Sequence, residues 1–479
     1  MKKKERYLLL LLLLCVQLVF AQSESKPNII FILADDLGYG DIAPYGQQLI
    51  STPNLSRLAD EGMRFTQFYA GTSVCAPSRS SLMTGQHTGH TPIRGNKEMY
   101  PEGQLPIPSA TVTIAEVMKQ AGYITGMFGK WGLGFVGSEG DPVRQGFDQF
   151  YGYNCQAEAH RYYPTHLWDN DHRVDLPGNK MLASAVTYAP ELIQQQALQF
   201  IDLHHSKPFA LFLTYTLPHA ELLVPDDSLF LKYRGTFAER AYKGDDYGPG
   251  ANRMGYASQQ YPHAAFAAMV SRLDLYVGQV MAKLAALGID RNTLVIFTSD
   301  NGPHVEGGAD PSFFNSGGGL RGIKRDLYEG GIREPFIVKW PGKVKPGTIN
   351  STIGAFWDVL PTLAQITGTR LTESVDGISL LPSLTGGKQR SHDYLYWEFH
   401  ENGGRQAIRY GSWKCIRLNV DHPDNAVVEL YDLSKDLSEK HNVAGSHHDI
   451  AAKCLSLMDK AHVPSSAFPF RFETSKIVK

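Results

Sequence analysis

A run of eleven residues, from Cys75 to Gly85, places a cysteine, a proline and an arginine at the start of a short helical segment. Pro77 favours the first turn, because its φ is fixed near the helical value and it has no N–H to lose, and Thr84 with Gly85 can end the helix. Cys75 then lies at the N-terminal end, where free N–H groups and the helix dipole favour an anion such as sulfate or phosphate. Arg79 follows on the same side, where its guanidinium can bond an oxyanion. The run predicts a nucleophile beside an anion site.

Pairs of residues with oxygen ligands occur at two other points of the chain. Asp35 and Asp36 directly follow one buried-strand pattern, and Asp300 and Asn301 follow another. These four side chains offer only oxygen ligands and carry three negative charges, which suits Ca²⁺ or Mg²⁺ rather than a soft metal. The sequence therefore predicts a site for one hard divalent cation.

The elements that must position these side chains are strands of one sheet. Short apolar runs alternate with helical patterns, which predicts an α/β fold with a large, mixed, mainly parallel sheet flanked by helices. The buried-strand patterns cover residues 29–33, 123–128, 208–215 and 294–297. Lys130 and His219 follow the second and third patterns, as the two pairs of oxygen ligands follow the first and fourth. Ligands of open α/β sheets bind beyond the carboxyl ends of the strands, so we expect these side chains to meet at one edge.

Composition limits the class of partner. The 479 residues suffice for one large α/β domain and a smaller one. Lys and Arg together number 46 against 48 Asp and Glu, so no overall charge favours nucleic acid or an anionic membrane surface. Attraction for an anionic substrate has to be local.

The first 21 residues have the pattern of an export signal. A basic start precedes an unbroken leucine run over 8–14, and Val-Phe-Ala stands before Gln22. The apolar stretch is shorter than the roughly 20 residues that a spanning helix needs. We expect an exported mature chain, periplasmic or extracellular, with no stable membrane insertion; an uncleaved anchor is the alternative.

The run over 75–85 resembles the signature of the type I sulfatases, members of the alkaline phosphatase superfamily. Segments 32–40, 298–302, 322–324 and 329–335 also look like motifs of that family, so the resemblance extends over nearly the whole mature chain. It implies a catalytic sulfatase domain over 22–390 and a C-terminal α+β subdomain over 391–479, built on a small antiparallel sheet and a helix. The pattern over 410–416 fits a strand of that sheet, and 450–461 fits its helix.

The resemblance also implies the reaction and its residues. A formylglycine-generating or anaerobic maturation enzyme, which reads Cys-x-Pro-x-Arg, would convert Cys75 to formylglycine, whose hydrate attacks sulfur. Three cysteines would then remain, and the sequence does not choose among the pairings of Cys155, Cys415 and Cys454. The implied catalytic residues are Cys75, Arg79, Lys130, Lys324 and His219, the last as general acid. The implied cation ligands are Asp35, Asp36, Cys75, Asp300 and Asn301, with calcium preferred to magnesium. Sulfate binding is implied for Lys130, His219 and Lys324.

One position departs from the family pattern. Gly132 stands where the family has a histidine that contacts formylglycine. His160 or His166, in the segment over 155–168, is a candidate replacement. A histidine in an aromatic loop is more often structural or substrate-binding, and that reading stays open.

The same segment is a candidate sugar-binding surface. Its aromatic side chains can stack on sugar rings, and nearby histidines and an arginine can bond hydroxyls or a second sulfate; packing inside the protein is the alternative. The residues concerned are Tyr162, Tyr163 and Trp168, together with His160, Arg161 and His304. We therefore expect a carbohydrate sulfate as substrate, of unspecified ring and position. Two rival functions remain: a phosphodiesterase or phosphonate monoester hydrolase of the same superfamily, and a glycan-binding protein that has lost catalysis.

Overall fold

The computed structural model describes residues 26–246, 255–471 and 473, so the expected export signal over residues 1–21 lies outside it. The strands are β1 (Asn28–Asp35), β2 (Met63–Tyr69), β3 (Glu98–Met99), β4 (Gly103–Gln104), β5 (Ile124–Lys130), β6 (Gln149–Tyr153), β7 (His166–Asp169), β8 (His172–Asp175), β9 (Phe209–Pro218), β10 (Thr293–Ser299), β11 (Arg333–Lys339), β12 (Thr348–Asn350), β13 (Gly354–Ala355), β14 (Leu395–Phe399), β15 (Arg405–Tyr410), β16 (Trp413–Leu418) and β17 (Val427–Asp432). The α-helices are α1 (Pro53–Asp60), α2 (Cys75–Thr84), α3 (Ile114–Gln120), α4 (Gln156–Ala159), α5 (Ala189–His204), α6 (Ser228–Tyr233), α7 (Pro262–Ala286), α8 (Pro311–Phe314), α9 (Glu329–Ile332), α10 (Val359–Thr367), α11 (Leu381–Leu384) and α12 (His448–Ala461).

Eleven strands form one large mixed sheet. Its order is β12-β2-β11-β10-β1-β9-β5-β6-β7-β8, with β13 also paired to β2. The central strands β10, β1, β9, β5 and β6 are parallel neighbours, whereas β11, β7 and β8 run antiparallel to their partners. The four strands predicted from apolar runs are β1, β5, β9 and β10, which stand side by side. The expected mixed, mainly parallel α/β fold is confirmed.

Helices cover both faces of this sheet. Side chains alternate along a strand, so Ile30 and Ile32 of β1 enter one core with α5 and α7, whereas Phe31 and Leu33 enter the other with α3 and α10. Both faces are therefore dry, which explains why the parallel strands are continuous apolar runs rather than alternating ones.

The C-terminal part is a second, smaller sheet. Strands β14-β15-β16-β17 pair antiparallel, and α12 packs against one face through Cys454 and Met458. The other face packs against the large domain through Trp397. The predicted strand over 410–416 is wrong in its first half, because β15 ends at Tyr410 and a turn precedes β16. Gly411 has φ 60°, which suits such a turn better than a strand.

The four cysteines of the described residues are all buried and form no disulfide with one another. A hydrogen bond with the Cys454 thiol and, second, burial raise the pKa of Cys415. Within the described ranges, no helix is long and apolar enough to cross a bilayer.

Candidate active site

The carboxyl ends of the four central strands bring the predicted side chains together. β1 ends at Asp35, β5 at Lys130 and β9 just before His219, while Asp300 follows β10 directly. All of these side chains are buried. The edge predicted from the strand patterns is thus the place where they meet.

Cys75 is the first residue of α2, which ends at Gly85 with a left-handed φ of 68°. Its Sγ donates to Asp35 Oδ1 at 3.3 Å and lies 3.9 Å from Asp36 Oδ1. Burial and the Asp35 carboxylate raise the pKa of the thiol well above its usual value. As it stands, this cysteine stays protonated and is a poor nucleophile.

Arg79 connects three parts of the site. Its Nε donates to Asp300 Oδ2 at 2.9 Å, and its Nη1 donates to the carbonyl of Lys130 at 2.8 Å. Its Nη2 lies 3.5 Å from Asp35 Oδ2. The guanidinium therefore fixes the ends of β5 and β10 relative to α2.

Two lysines pair with the neighbouring carboxylates of Asp35 and Asp36. Lys130 Nζ donates to Asp35 Oδ2 at 2.6 Å, and Lys324 Nζ donates to Asp36 Oδ2 at 2.8 Å. Burial alone would raise the pKa of Asp35, but the charges of Lys130 and Arg79 outweigh it and hold the pKa well below its usual range. Asp35 is therefore ionised despite its burial.

Lys324 has a further acidic partner that the sequence did not indicate. Its Nζ donates to Glu306 Oε2 at 3.0 Å, and Glu306 also accepts from Arg325. Burial opposes ionisation of Glu306, but Lys324 and its neighbours lower its pKa. The position of Glu306, six residues beyond Asp300 in the loop after β10, was the only available signal.

Three imidazoles form a stack beside Lys324. The ring of His219 lies 4.4 Å from that of His160 and 5.4 Å from that of His304, with near-parallel planes. His219 Nδ1 donates to the carbonyl of Ala220, and Lys324 Nζ donates to His219 Nε2 at 2.9 Å. Burial and Lys324 lower the pKa of His219, and burial and His219 lower that of His160, so both rings are neutral.

The predicted cation ligands form one cluster. Ligand atoms of three of them, Asp35, Asp36 and Cys75, lie within 4.8 Å of one another and of His219, which was not predicted as a ligand. Asp300 Oδ1 accepts from the Asp36 N–H, and Asn301 donates its Nδ2 to Asp36 Oδ1 at 2.6 Å. Asn301 Oδ1 is buried and has no hydrogen-bond partner. Burial and Asp35 raise the pKa of Asp300 to about 7. An orphaned amide oxygen and crowded carboxylates are what a hard divalent cation would relieve, so these residues fit such an ion.

The space beside Gly132 is filled by Gln156. Gly132 has φ +81°, and a Cβ built on it would lie 2.3 Å from Gln156 Nε2. The two histidines considered for this gap lie elsewhere: His160 stacks on His219, and His166 Nε2 contacts Glu102 at 2.8 Å. Gln156 lies within the segment over 155–168, but its contact with Gly132 was not predicted.

The aromatic residues of that segment have partners within the protein. Tyr162 is fully buried, and its hydroxyl donates to the carbonyls of Thr216 and His219. Trp168 Nε1 donates to Glu102 at 2.8 Å. Arg161 Nη1 lies 3.1 Å from Glu221. Tyr163 packs against Tyr188 with ring centroids 5.3 Å apart. For Tyr162 the packing alternative describes the structure better than an exposed sugar platform.

Comparison with known proteins identifies the family. A model of the family described as Sulfatase matches residues 27–369, and one described as N-sulphoglucosamine sulphohydrolase, C-terminal, matches residues 322–461. Human arylsulfatase A is 34% identical over 486 residues, covering 91% of this chain and 86% of that protein. The N-acetylgalactosamine-6-O-sulfatase of Bacteroides thetaiotaomicron is 31% identical over 497 residues, covering 91% of this chain and 93% of its own length.

Among solved structures, Ps i-CgsB in complex with k-i-k-neocarrahexaose superposes with a TM-score of 0.75 at 27% identity. The match covers 91% of this chain and 92% of that one. The fold, the side chains that meet at the carboxyl ends of β1, β5, β9 and β10, and the family match all indicate the same family. The chain therefore belongs to the sulfatase family, and its reaction is the hydrolysis of a sulfuric ester.

Proposed function

We propose that the protein is an exported carbohydrate sulfatase that uses formylglycine at position 75 and a bound calcium ion. The observation that carries the proposal is the position of Cys75. Its buried Sγ lies on the carboxylates of Asp35 and Asp36, whose other oxygens hold the ammonium groups of Lys130 and Lys324. The cationic side chains of Lys130 and Lys324 therefore lie close to Cys75, the first residue of α2.

The chemistry of the thiol supports its conversion to an aldehyde. A buried cysteine with a raised pKa cannot supply much thiolate. A hydrated aldehyde at the same place offers two hydroxyls, one to attack sulfur and one to release sulfate afterwards. Pro77 and Arg79 stand at the offsets that a maturation enzyme of either type would read.

The reaction follows in two balanced steps. First, one hydroxyl of the hydrated residue 75 gives up its proton to solvent and its oxygen attacks sulfur, the bond from sulfur to the sugar oxygen breaks, and the sugar oxygen takes up a proton. Second, the remaining hydroxyl of residue 75 loses its proton, sulfate departs with the attacking oxygen, and the aldehyde re-forms before water hydrates it again. Arg79, Lys130 and Lys324 bond the sulfate oxygens and offset the charge that gathers on them.

His219 and Lys324 supply the first proton. The Nδ1–H of His219 is committed to the Ala220 carbonyl, so its Nε2 lone pair faces the Lys324 ammonium. The pair holds one proton between Nζ and Nε2. The proton passes through His219 Nε2 to the leaving alkoxide, which leaves Lys324 neutral. The proton that the second hydroxyl of residue 75 releases in the second step restores the ammonium, which Asp36 and Glu306 favour.

Asp35, Asp36, Asp300 and Asn301, with residue 75, would hold the cation. When bound, it would polarise the sulfate group and favour the ionised form of the attacking hydroxyl. The all-oxygen carboxylate and amide set supports calcium over a softer metal. Lys130 and Lys324 pair with Asp35 and Asp36, which places both ammonium groups beside residue 75, where an anionic ligand would bind.

The relatives support a sugar as the substrate. One relative is named for N-acetylgalactosamine 6-O-sulfate chemistry, and one solved neighbour holds a neocarrahexaose. His160 and His304 stack on His219, the residue that would protonate the leaving group, so we assign them to substrate binding. The ring of His160 is neutral, which suits a hydroxyl group.

The test is a panel of position-defined sulfated sugars, an aryl sulfate, an aryl phosphonate and a phosphodiester. Matured protein should release sulfate from at least one sugar and prefer the aryl sulfate to both phosphorus esters. Peptide mass spectrometry should find an aldehyde at residue 75 and a mature start at Gln22. Full activity from protein with only unmodified Cys75 contradicts the nucleophile, preference for a phosphorus ester favours the rival hydrolase, and no turnover of any ester favours a glycan-binding protein.

A further inference from the structure

The carboxamide of Gln156 is buried without a partner. The residue is 4% exposed, and neither Nε2 nor Oε1 has a hydrogen-bond partner among the described residues. Burying an unpaired amide costs free energy, and the large majority of buried side-chain polar atoms are paired. Lys324, which we assign to sulfate binding, is 6% exposed, so a side chain as buried as Gln156 can still contact a substrate. The unpaired amide of Gln156 therefore marks a place where a ligand would supply the missing hydrogen bonds.

Two neighbouring amides share this property. Gln104 Oε1 accepts from the Gln156 N–H at 3.3 Å, which leaves Gln104 Nε2 buried and unpartnered. Asn154 Oδ1 is likewise buried and unpartnered. The Gly132 N–H donates to the Asn154 carbonyl at 2.9 Å, so the backbone of this segment runs beside Gly132. We call Gln104, Asn154 and Gln156 the amide cluster.

The cluster adjoins the reaction centre on two sides. Gly132, against which the Gln156 amide lies, is two residues beyond Lys130, whose ammonium is 2.6 Å from Asp35. Gln156 also begins α4, and His160 follows four residues later, so the two lie on one side of that turn. Because His160 stacks on His219 at 4.4 Å, that side faces the catalytic histidine.

The donors and acceptors of the cluster select the ligand. Gln156 Nε2 and Gln104 Nε2 donate, whereas Gln156 Oε1 and Asn154 Oδ1 accept. A second sulfate or a carboxylate would only accept and would leave both oxygens unpaired, and a cation would leave both NH₂ groups unpaired. Hydroxyl groups both donate and accept, so neighbouring hydroxyls pair all four atoms.

We propose that the amide cluster binds two adjacent, unsulfated hydroxyl groups of the sugar ring whose sulfate ester is cleaved. This assignment rests on the carbohydrate sulfatase function proposed above. Gln156 is the specificity-determining member, because it alone offers both a donor and an acceptor. The glycine at 132 is what leaves room for its amide, since a Cβ there would collide with Nε2.

The test compares Gln156→Met, which keeps the side-chain volume and removes the amide, with wild type. We expect the ratio of kcat/KM for the best panel sugar to kcat/KM for an aryl sulfate to fall at least tenfold. In a Cys75→Ala background, which cannot turn over, calorimetry should show at least fivefold weaker binding of that sugar in Gln156→Met. The melting temperature should stay the same or rise, because an unpaired amide is replaced by an apolar group.

Asn154→Ala is a second variant if Gln156→Met does not fold, and it should lower the same ratio. Gln195→Met, on the exposed side of α5, is the matched control and should change neither ratio nor binding. A ratio within twofold of wild type, or an equal loss on both substrates with a lower melting temperature, overturns the proposal. Aryl sulfate turnover with no activity on any sugar overturns the carbohydrate function as well, whereas sugar turnover with an unchanged ratio overturns the subsite alone.

Discussion

A buried ion pair attaches the C-terminal sheet to the catalytic domain, and removing its cation should destabilise the protein strongly. Glu329, the first residue of α9, accepts from Lys414 of β16 at 3.0 Å, from Tyr69 at 2.7 Å and from Arg333 at 3.1 Å. Burial alone would raise the pKa of Glu329, but Lys414, Arg333 and Arg409 outweigh it and lower the pKa from 4.5 to about 2. A shift of this size corresponds to about 3 kcal/mol of stability at neutral pH.

Lys414→Met should therefore lower the free energy of unfolding at pH 7.5 by about 3 kcal/mol, because a buried carboxylate loses its nearest counter-charge. The measurement is urea unfolding followed by tryptophan fluorescence. Since the folded pKa of Glu329 lies below its unfolded value, the stabilisation is complete above about pH 4.5 and is lost as the pH falls towards 2. The variant should show a weaker decline across that range.

Two further variants make this reasoning refutable. Glu329→Gln combined with Lys414→Met removes both charges of the pair and should recover part of the loss. Lys435→Met is the control, because Lys435 is 83% exposed and its pair with Asp432 is screened by water. A loss below about 1 kcal/mol in Lys414→Met, or a double variant no more stable than the single one, would show that the pair is not what holds the two parts together.

Two other predictions concern the active site, and one concerns the buried carboxyl group of Asp41. Asp300→Asn should remove most of the bound calcium measured by elemental analysis and lower aryl sulfate turnover at least a hundredfold; retention of both would misplace the cation site. Burial raises the pKa of Asp41 to about 7, so the free energy of unfolding of wild type should fall by up to about 4 kcal/mol as the pH rises from about 4 to 7. Asp41→Asn can still accept from the Gly38 N–H and should remove that decline, as measured by thermal and urea unfolding. Because His160 stacks on His219 and His166 contacts Glu102, neither occupies the space beside Gly132, so pre-steady-state kinetics of both alanine variants should show no burst of leaving group; a burst followed by slow turnover in either would identify that histidine as the missing base.

The local patterns of the sequence determined the framework of the site. Pro77 and Gly85 define the ends of α2, because each restricts or permits backbone angles whatever the surroundings. The apolar runs became β1, β5, β9 and β10, because a strand buried on both faces must be apolar throughout. Parallel strands expose their carboxyl ends at one edge, so the convergence of Asp35, Lys130 and His219 also followed from the sequence.

Only the tertiary structure decided which side chains touch. Lys324 meets Glu306, Gln156 occupies the space beside Gly132, and His160 stacks on His219 rather than filling that space. None of these pairs is fixed by spacing, because loops after different strands carry the partners and their approach depends on how the helices pack on the sheet. The buried charges follow the same rule: an isolated carboxylate such as Asp35 would be neutral at this depth, and it is ionised only because folding places Lys130 and Arg79 beside it.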